Sequence, residues 1–178
     1  MSSGDNIFIN QFISAASIGD ENTVLSLLLT SKVNINDRNN SGFTALINAA
    51  RYRKQSMVSL LIDRGADVYI KNKIGYTALM YAAKSNSESI ISLLLDRGAD
   101  INIKNSDEDT SLMLAAINNG ASLALFLLDK GADINIKNNS NGYTALMYAA
   151  IYNSERTISL LLGRGADTNI KNNVSIAF

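Results

Sequence analysis

The stretch Gly75–Asp100, GYTALMYAAKSNSESIISLLLDRGAD, decides the fold, because copies of it recur along the chain. Its Gly-Ala-Asp triplet returns at intervals of 33, 33 and 34 residues, and the four glycines are Gly65, Gly98, Gly131 and Gly165. A threonine precedes each glycine by 21 residues, and the four threonines are Thr44, Thr77, Thr110 and Thr144. The one extra residue therefore falls in the connector 138–141. A fixed period of this length is typical of a stack of small repeats that cannot bury their apolar faces alone.

Within each repeat the apolar pattern predicts two helices and an arm. Thr77 and the apolar residues after it predict a short inner helix with the threonine at its N-cap. The polar stretch Ser85–Glu88 predicts a break that caps a second, outer helix. Gly98 follows that helix, where a left-handed residue closes a helix end. The alternating stretch Asp100–Asn105 predicts an extended arm that leads into a turn-rich tip.

The first repeat is a degenerate copy and is predicted to cap the N-terminus. It keeps the alanine pair Ala15-Ala16, but Lys32-Val33-Asn34 stands in place of Gly-Ala-Asp, and its extra residue is placed near 20–22. A terminal repeat has one neighbour, so an atypical sequence is expected there. We predict one domain over residues 1–178, divided into the capping repeat at 6–38, full repeats at 39–71, 72–104, 105–138 and 139–171, and a tail at 172–178.

The tail leaves two interpretations open. Val174, Ile176 and Phe178 could fold back over the last helix pair as a cap. Alternatively, the tail is the start of a further repeat in a longer array.

Helix, tight turn, helix and arm on a 33-residue period resemble ankyrin repeats. The residues that carry the resemblance are Gly-Tyr-Thr-Ala-Leu-Met-Tyr-Ala-Ala and Leu-Leu-Leu-Asp-Arg-Gly-Ala-Asp-Ile-Asn, in four copies between residues 39 and 171. The resemblance implies an all-α solenoid of stacked helix-turn-helix repeats with hairpin arms. It also implies a non-catalytic scaffold that binds a partner protein in the concave groove formed by the tips and inner helices.

The chain departs from the family pattern at two places. The family usually has Thr-Pro-Leu-His where this chain has, for example, Thr77-Ala-Leu-Met80. Apolar packing is expected to replace the missing proline and histidine, through the residues Ile47, Met80, Met113 and Met147. The tip glycine of the other repeats is Glu108 in the repeat 105–138, so that tip is predicted to be the least regular.

Composition excludes several chemistries. The chain has no histidine and no cysteine, so the commonest general base and the thiolate metal sites are absent. Its acidic residues return at the same place in each repeat, which indicates a structural role. We therefore expect no catalytic, cofactor-binding or metal-binding residue and no enzyme, although an enzyme stays a third alternative.

The residues that vary between repeats are the candidate binding residues. By the resemblance, the residue before each threonine lies on the concave face, and these residues are Phe43, Tyr76, Asp109 and Tyr143. By the same resemblance, the two residues after each alanine pair face this groove, and these pairs are Arg51-Tyr52, Lys84-Ser85, Ile117-Asn118 and Ile151-Tyr152. Tyrosine offers a large rigid area with a polar end, and such residues dominate binding energy at interfaces. We expect Phe43, Tyr76 and Tyr143 to be anchors, Tyr52 and Tyr152 to flank them, and Arg51 and Lys84 to add charge contacts.

Two further tyrosines, on the inner helices, have a simpler interpretation. Tyr81 and Tyr148 precede the alanine pairs, at a position that the family usually fills with an apolar core residue. We expect them to pack inside the repeats.

Charge bears on the kind of partner. Sixteen basic and sixteen acidic residues balance, which disfavours nucleic acid, although the aromatic residues leave stacking on a single strand as an alternative. One basic residue per repeat lies at the base of each tip, and these residues are Arg38, Lys71, Lys104, Lys137 and Lys171. They are either solvated charges without a further role or a positive edge that steers an acidic partner.

The remaining expectations concern assembly and location. We expect a monomer, and the alternative is a structural segment of a longer array that self-associates through its C-terminal face. The N-terminus lacks the basic and apolar regions of a signal peptide, and no apolar run is long enough to span a bilayer. This favours the cytoplasm, although a targeting segment could lie outside this chain.

Overall fold

The computed structural model describes residues 3–173, and this part of the chain contains ten α-helices and no β-strand. The predicted all-α class is therefore confirmed, while the arms form turns instead of strands. The helices are α1 (Ser3–Ile18), α2 (Glu21–Leu29), α3 (Ala45–Arg51), α4 (Gln55–Asp63), α5 (Ala78–Lys84), α6 (Glu88–Asp96), α7 (Ser111–Ile117), α8 (Ala121–Asp129), α9 (Ala145–Ile151) and α10 (Glu155–Gly163). The proposed cap residues Val174, Ile176 and Phe178 lie outside the described residues.

The chain forms two compact units, Met1–Asp100 with α1 to α6 and Ile101–Phe178 with α7 to α10. In the first unit the inner helices α1, α3 and α5 pack side by side, and the outer helix α4 packs on α6. In the second unit α7 packs on α9 and α8 packs on α10. Each helix pair thus buries its apolar side against a neighbouring pair. Among the helices of the described chain, none combines the length and the apolar character needed to cross a bilayer.

The predicted threonine N-caps are confirmed. In each inner helix from α3 onward, the threonine hydroxyl accepts a hydrogen bond from the backbone N–H three residues later, at 3.2 to 3.4 Å. The four capping residues are Thr44, Thr77, Thr110 and Thr144. In α7 the thioether of Met113 also accepts from the backbone N–H of Thr110 at 3.5 Å. A methionine thus makes a polar contact here in addition to its packing.

The predicted break and cap at Ser85–Glu88 are confirmed in position, but no side chain makes the capping hydrogen bond. Ser87 does occupy the N-cap position of α6, but its side chain makes no capping hydrogen bond. Instead, Asn86 takes a left-handed conformation with φ of 52°, and the backbone N–H of Ser87 bonds to the carbonyl of Ala82 at 2.9 Å. The turn is closed by the backbone, so the polar side chains there are not needed for capping.

Gly98 closes the outer helix α6, as predicted. The residue at the same position of the first repeat, Ser31, shows where the extra residue of that repeat lies. Gly98 has φ of 85°, and the next N–H bonds to the carbonyl of Leu94 at 3.0 Å, which is a Schellman closure. In the first repeat Ser31 takes this conformation, with φ of 53°. The extra residue therefore lies after α2, in the arm, and its placement near residues 20–22 was wrong.

An asparagine at the base of each tip holds the tip together, which the sequence pattern did not suggest. The side-chain oxygen of Asn72 accepts from the backbone N–H groups of Ile74 and Tyr76, at 3.1 and 2.9 Å. Asn39 and Asn105 make the equivalent pairs. These contacts satisfy the tip backbone and fix the residue that precedes each threonine.

The prediction that the Glu108 tip is the least regular was wrong. Glu108 adopts φ of 67°, close to the 80°, 77° and 73° of the tip glycines Gly42, Gly75 and Gly142. The irregular tip is the next one, where the extra residue lies. There Asn141 accepts the N–H of Tyr143 at 2.9 Å, a bond that the basal asparagine supplies in the other tips.

Side chains along the arms join consecutive repeats inside each unit. Asn36 accepts the backbone N–H of Asp67 at 2.9 Å, and Arg97 pairs with Asp63 at 2.7 Å. The basic residues at the tip bases also reach the next repeat: the ammonium of Lys104 donates to the carbonyl of residue 137 at 2.8 Å. In the same way, the side chains of Arg38 and Lys137 donate to the backbone carbonyls of Lys71 and Lys171, at the base of the next tip. These cations thus have a structural role that neither sequence interpretation included.

Substitution of Gly42 by alanine tests how closely neighbouring tips approach. A Cβ on Gly42 would lie 2.8 Å from the backbone nitrogen of Lys73, which donates to the carbonyl of Ser41. Gly65 also has a positive φ, of 85°, but a Cβ there would meet nothing within 4 Å. We expect Gly65→Ala to lower the free energy of unfolding by about 1–2 kcal/mol, from backbone strain alone. Gly42→Ala should cost at least about 1 kcal/mol more, because the tips must separate.

Urea denaturation of both variants measures the difference. Equal losses at the two positions would show that the tips can move apart without cost.

Candidate partner-binding surfaces

The first unit carries a cluster of aromatic and basic side chains on its tips and inner helices, which we call the first surface. Phe43 and Tyr76 precede the threonine caps of α3 and α5, and Arg51 and Lys84 end those two helices. Tyr52 directly follows α3. The structure therefore brings together the five predicted binding residues that belong to this unit.

Tyr81 forms the floor of the first surface. Its ring centroid lies 5.5 Å from that of Phe43 and 5.2 Å from that of Tyr76, with tilted rings. Only 7% of Tyr81 is exposed, and its hydroxyl accepts a bond from the amide of Asn72 at 3.1 Å. The expectation that Tyr81 packs inside the repeat is confirmed. Phe43 and Tyr76 rest on it half-buried, with part of each ring facing water.

The two cations of the first surface lie over aromatic rings. The guanidinium carbon of Arg51 is 5.3 to 5.6 Å from the ring centroids of Phe43, Tyr52 and Tyr81. The ammonium of Lys84 is 6.0 Å from the ring centroid of Tyr76. Cation–π contacts of this length orient a long side chain without neutralising its charge.

A depression of about 270 Å³ opens between these cations. It is lined by Arg51, Tyr81, Lys84 and Ser85. The hydroxyl of Ser85 donates to the carbonyl of Ala82 at 3.1 Å, and its oxygen can still accept from a ligand. Ser85 was expected to face the groove, but it was not singled out as an anchor, a flanking residue or a charge contact.

The second unit carries a smaller and uncharged cluster, which we call the second surface. Tyr143 packs edge-on against Tyr148, with ring centroids 5.5 Å apart. Ile151 and Tyr152 extend beyond them into solvent, 52% and 48% exposed. Where the first surface has Arg51 and Lys84, this unit has the isoleucines at positions 117 and 151. Its surface is therefore aromatic and aliphatic.

Asp109 lies inside its tip, so the expectation that it contacts a partner is corrected. Only 8% of Asp109 is exposed. Its carboxylate oxygen accepts from the amide of Asn138 at 2.6 Å and from the hydroxyl of Tyr148 at 3.0 Å. Asn141 donates to the same hydroxyl at 3.1 Å. The carboxylate thus joins two consecutive repeats and has little area left for a ligand.

The loss of a tyrosine in the repeat 105–138 explains an unsatisfied amide. Asn72 and Asn138 donate to the hydroxyls of Tyr81 and Tyr148, but the equivalent position in this repeat is Leu114. The side-chain nitrogen of Asn105 consequently has no hydrogen-bond partner among the described residues. This repeat therefore lacks both the aromatic residue at the tip and the tyrosine on the inner helix; Asp109 and Leu114 stand at those positions.

Two comparisons bear on the family. The family model described as ankyrin repeats (3 copies) matches residues 12–105 and again residues 102–172. No curated protein matches the chain significantly. Within the described residues, no group of three or more acidic residues is placed to hold a metal ion.

Removal of the Tyr148 hydroxyl tests the polar network of the second unit. Tyr148→Phe breaks the contacts to Asp109, Asn138 and Asn141, and we expect it to lower the free energy of unfolding by about 1–3 kcal/mol. Tyr81→Phe is the matched control, because the Tyr81 hydroxyl lies at the same repeat position and accepts a hydrogen bond from Asn72; a loss of about 0.5–1.5 kcal/mol is expected. Urea unfolding gives both values, and a larger loss for Tyr81→Phe would contradict the network.

The same hydroxyl makes stability depend on pH. Burial raises the pKa of Tyr148 above its ordinary value and the charge of Asp109 adds to this, while the amide of Asn141 opposes the shift. Because the folded state holds this proton more tightly, the contribution is complete below the unfolded pKa of about 10 and is lost as the pH rises through the folded pKa. We expect the free energy of unfolding to fall above about pH 10, and to fall less steeply in Tyr148→Phe. Identical slopes would contradict this.

Proposed function

This chain belongs to the ankyrin repeat family, and from that premise we propose that it is a non-catalytic module that binds a partner protein through its tips and inner helices. Ankyrin repeats are in general protein–protein interaction modules. The finer proposal concerns which residues of this chain make the contact. It places the principal contact on the first surface and a further contact on the second surface.

The observation that carries the proposal is the arrangement of the first surface. Its aromatic rings are seated on the buried Tyr81, so they are rigid, yet Phe43 and Tyr76 keep part of their area exposed. A binding surface gains from side chains that are already ordered, because ordering them on binding costs free energy. Tyr52, 50% exposed, extends the same surface.

The contrast between repeated and variable positions supports the same conclusion. The alanine pairs and the threonine caps recur in every full repeat, and in the first unit they are buried. In the same unit, several positions that differ between repeats, such as those of Phe43 and Arg51, reach solvent. Stacking there uses the repeated residues, so these variable ones are available for recognition.

Self-association is the second candidate function, and exposed aliphatic residues in the first unit favour it. Ile7, Ile18 and Leu29 are 66%, 67% and 84% exposed. An apolar depression between α2 and Arg64 is lined mainly by leucines. Light scattering over a range of concentrations separates the candidates: a constant monomeric mass argues against self-association.

Loss of Tyr52 tests the proposed binding surface with little risk to the fold. We expect Tyr52→Ala to reduce partner binding roughly tenfold, since an exposed tyrosine at an interface commonly contributes over 1 kcal/mol. Tyr69→Ala is the matched control, because Tyr69 is 57% exposed but lies on an arm, away from the first surface. The measurement is quantitative mass spectrometry of proteins captured from the source cell on each immobilised variant.

Two results would contradict the proposal. One is capture that is equal on the parent and on Tyr52→Ala; the other is equal loss with Tyr69→Ala. Tyr76→Ala, at a predicted anchor, should reduce binding further, by about 2 kcal/mol. Circular dichroism melting of each variant shows that the fold is retained.

A further inference from the structure

We infer that the partner of the first surface is an acidic segment of polypeptide, whose aspartate or glutamate side chains enter the depression between Arg51 and Lys84. This inference rests on the proposed function and adds the chemistry of the partner. The depression of about 270 Å³ is large enough for a carboxylate side chain. Two of its four lining residues, Arg51 and Lys84, are cations.

The tips and inner helices around the first surface carry charges of one sign. In the repeats 39–71 and 72–104 these elements contain Arg51, Lys73 and Lys84 and no acidic residue. The acidic residues of the two repeats lie in the outer helices and the arms; they are Asp63, Asp67, Glu88, Asp96 and Asp100. Asp63 lies at the end of the outer helix α4, and Asp67 lies in the arm. The zero net charge of the whole chain therefore conceals a local excess of positive charge.

Two of these acidic residues are engaged elsewhere, and Glu88 lies in the first turn of the outer helix α6. The carboxylate of Asp63 pairs with Arg97 at 2.7 Å, and that of Asp67 accepts the backbone N–H of Tyr69 at 2.8 Å. Over the described part of the chain, neither Arg51 nor Lys84 has a carboxylate partner. Arg97 and Arg164, which follow the outer helices α6 and α10, each pair with an aspartate of the preceding repeat. The charges of Arg51 and Lys84 are therefore available to a carboxylate from a partner.

Arg51 is oriented to receive such a group. Contacts with three aromatic rings hold its guanidinium, and a guanidinium held against ring faces keeps N–H donors at its edge. Those donors match the two oxygens of a carboxylate in a bidentate pair. Lys84, which also lines the depression, supplies a second cation.

Selection from a random peptide display library on the immobilised chain tests the inference. We expect the enriched peptides to be rich in aspartate and glutamate. The enrichment should disappear on the variant Arg51→Glu with Lys84→Glu. It should persist on Arg53→Glu with Lys54→Glu, which makes the same charge change in the turn between α3 and α4.

Affinities of one enriched peptide sharpen the test. Fluorescence anisotropy should show binding at least about tenfold weaker for Arg51→Glu than for Arg53→Glu, and similarly weaker when the acidic residues of the peptide are replaced by their amides. Binding should also weaken as salt is added, because exposed charges are screened.

The outcomes separate the inference from the proposed function. Enriched peptides that lack acidic residues, but are lost on Tyr52→Ala, would overturn the acidic partner and leave the binding surface in place. No enrichment on the parent chain would overturn both. A single-stranded oligothymidylate that binds more tightly than the peptide, and is lost on Arg51→Glu, would assign the first surface to nucleic acid and overturn the inference.

Discussion

Close packing between neighbouring inner helices is the constraint on which the rest of this structure depends. The alanine pairs permit it: Ala49, Ala50 and Ala82 are completely buried, because the adjacent helix leaves no room for a larger side chain. A seven-residue helix such as α3 is too short to be stable alone. Its threonine cap and its neighbours therefore supply the stability, and each repeat folds only as part of a stack.

The binding surface follows from this packing. Stacking consumes the alanines and the threonine caps, and the asparagine at each tip base fixes the residue just before the cap. Phe43 and Tyr76 are consequently presented on a rigid backbone, and Tyr81 supports both rings from below. Tyr81 is thus both a core residue and the foundation of the candidate surface, since its ring is buried while the residues resting on it are half-exposed.

Small substitutions within one repeat pattern give the two units different chemistry. In the first unit the inner helices end in Arg51 and Lys84, and the surface is aromatic and cationic. In the second unit the equivalent residues are aliphatic, and Asp109 replaces an aromatic tip residue. Its carboxylate turns inward because Asn138 and Tyr148 donate hydrogen bonds to it. One pattern of helices therefore supports a charged surface in one unit and a neutral one in the other.

The sequence by itself determined the repeat period, the helix pairs, the threonine caps and the glycine closures, because these depend on local backbone geometry and on which residues recur. It also identified Phe43, Arg51 and Tyr76 as solvent-facing. Only the tertiary structure decided the role of Asp109, the regularity of the Glu108 tip and the position of the extra residue after α2. The role of Asp109 depends on hydrogen bonds with Asn138 and Tyr148, and partners about 30 or more residues away leave no local signal in the sequence. The other two features depend on left-handed backbone at Glu108 and Ser31, which residues other than glycine adopt only uncommonly and which their side chains do not indicate.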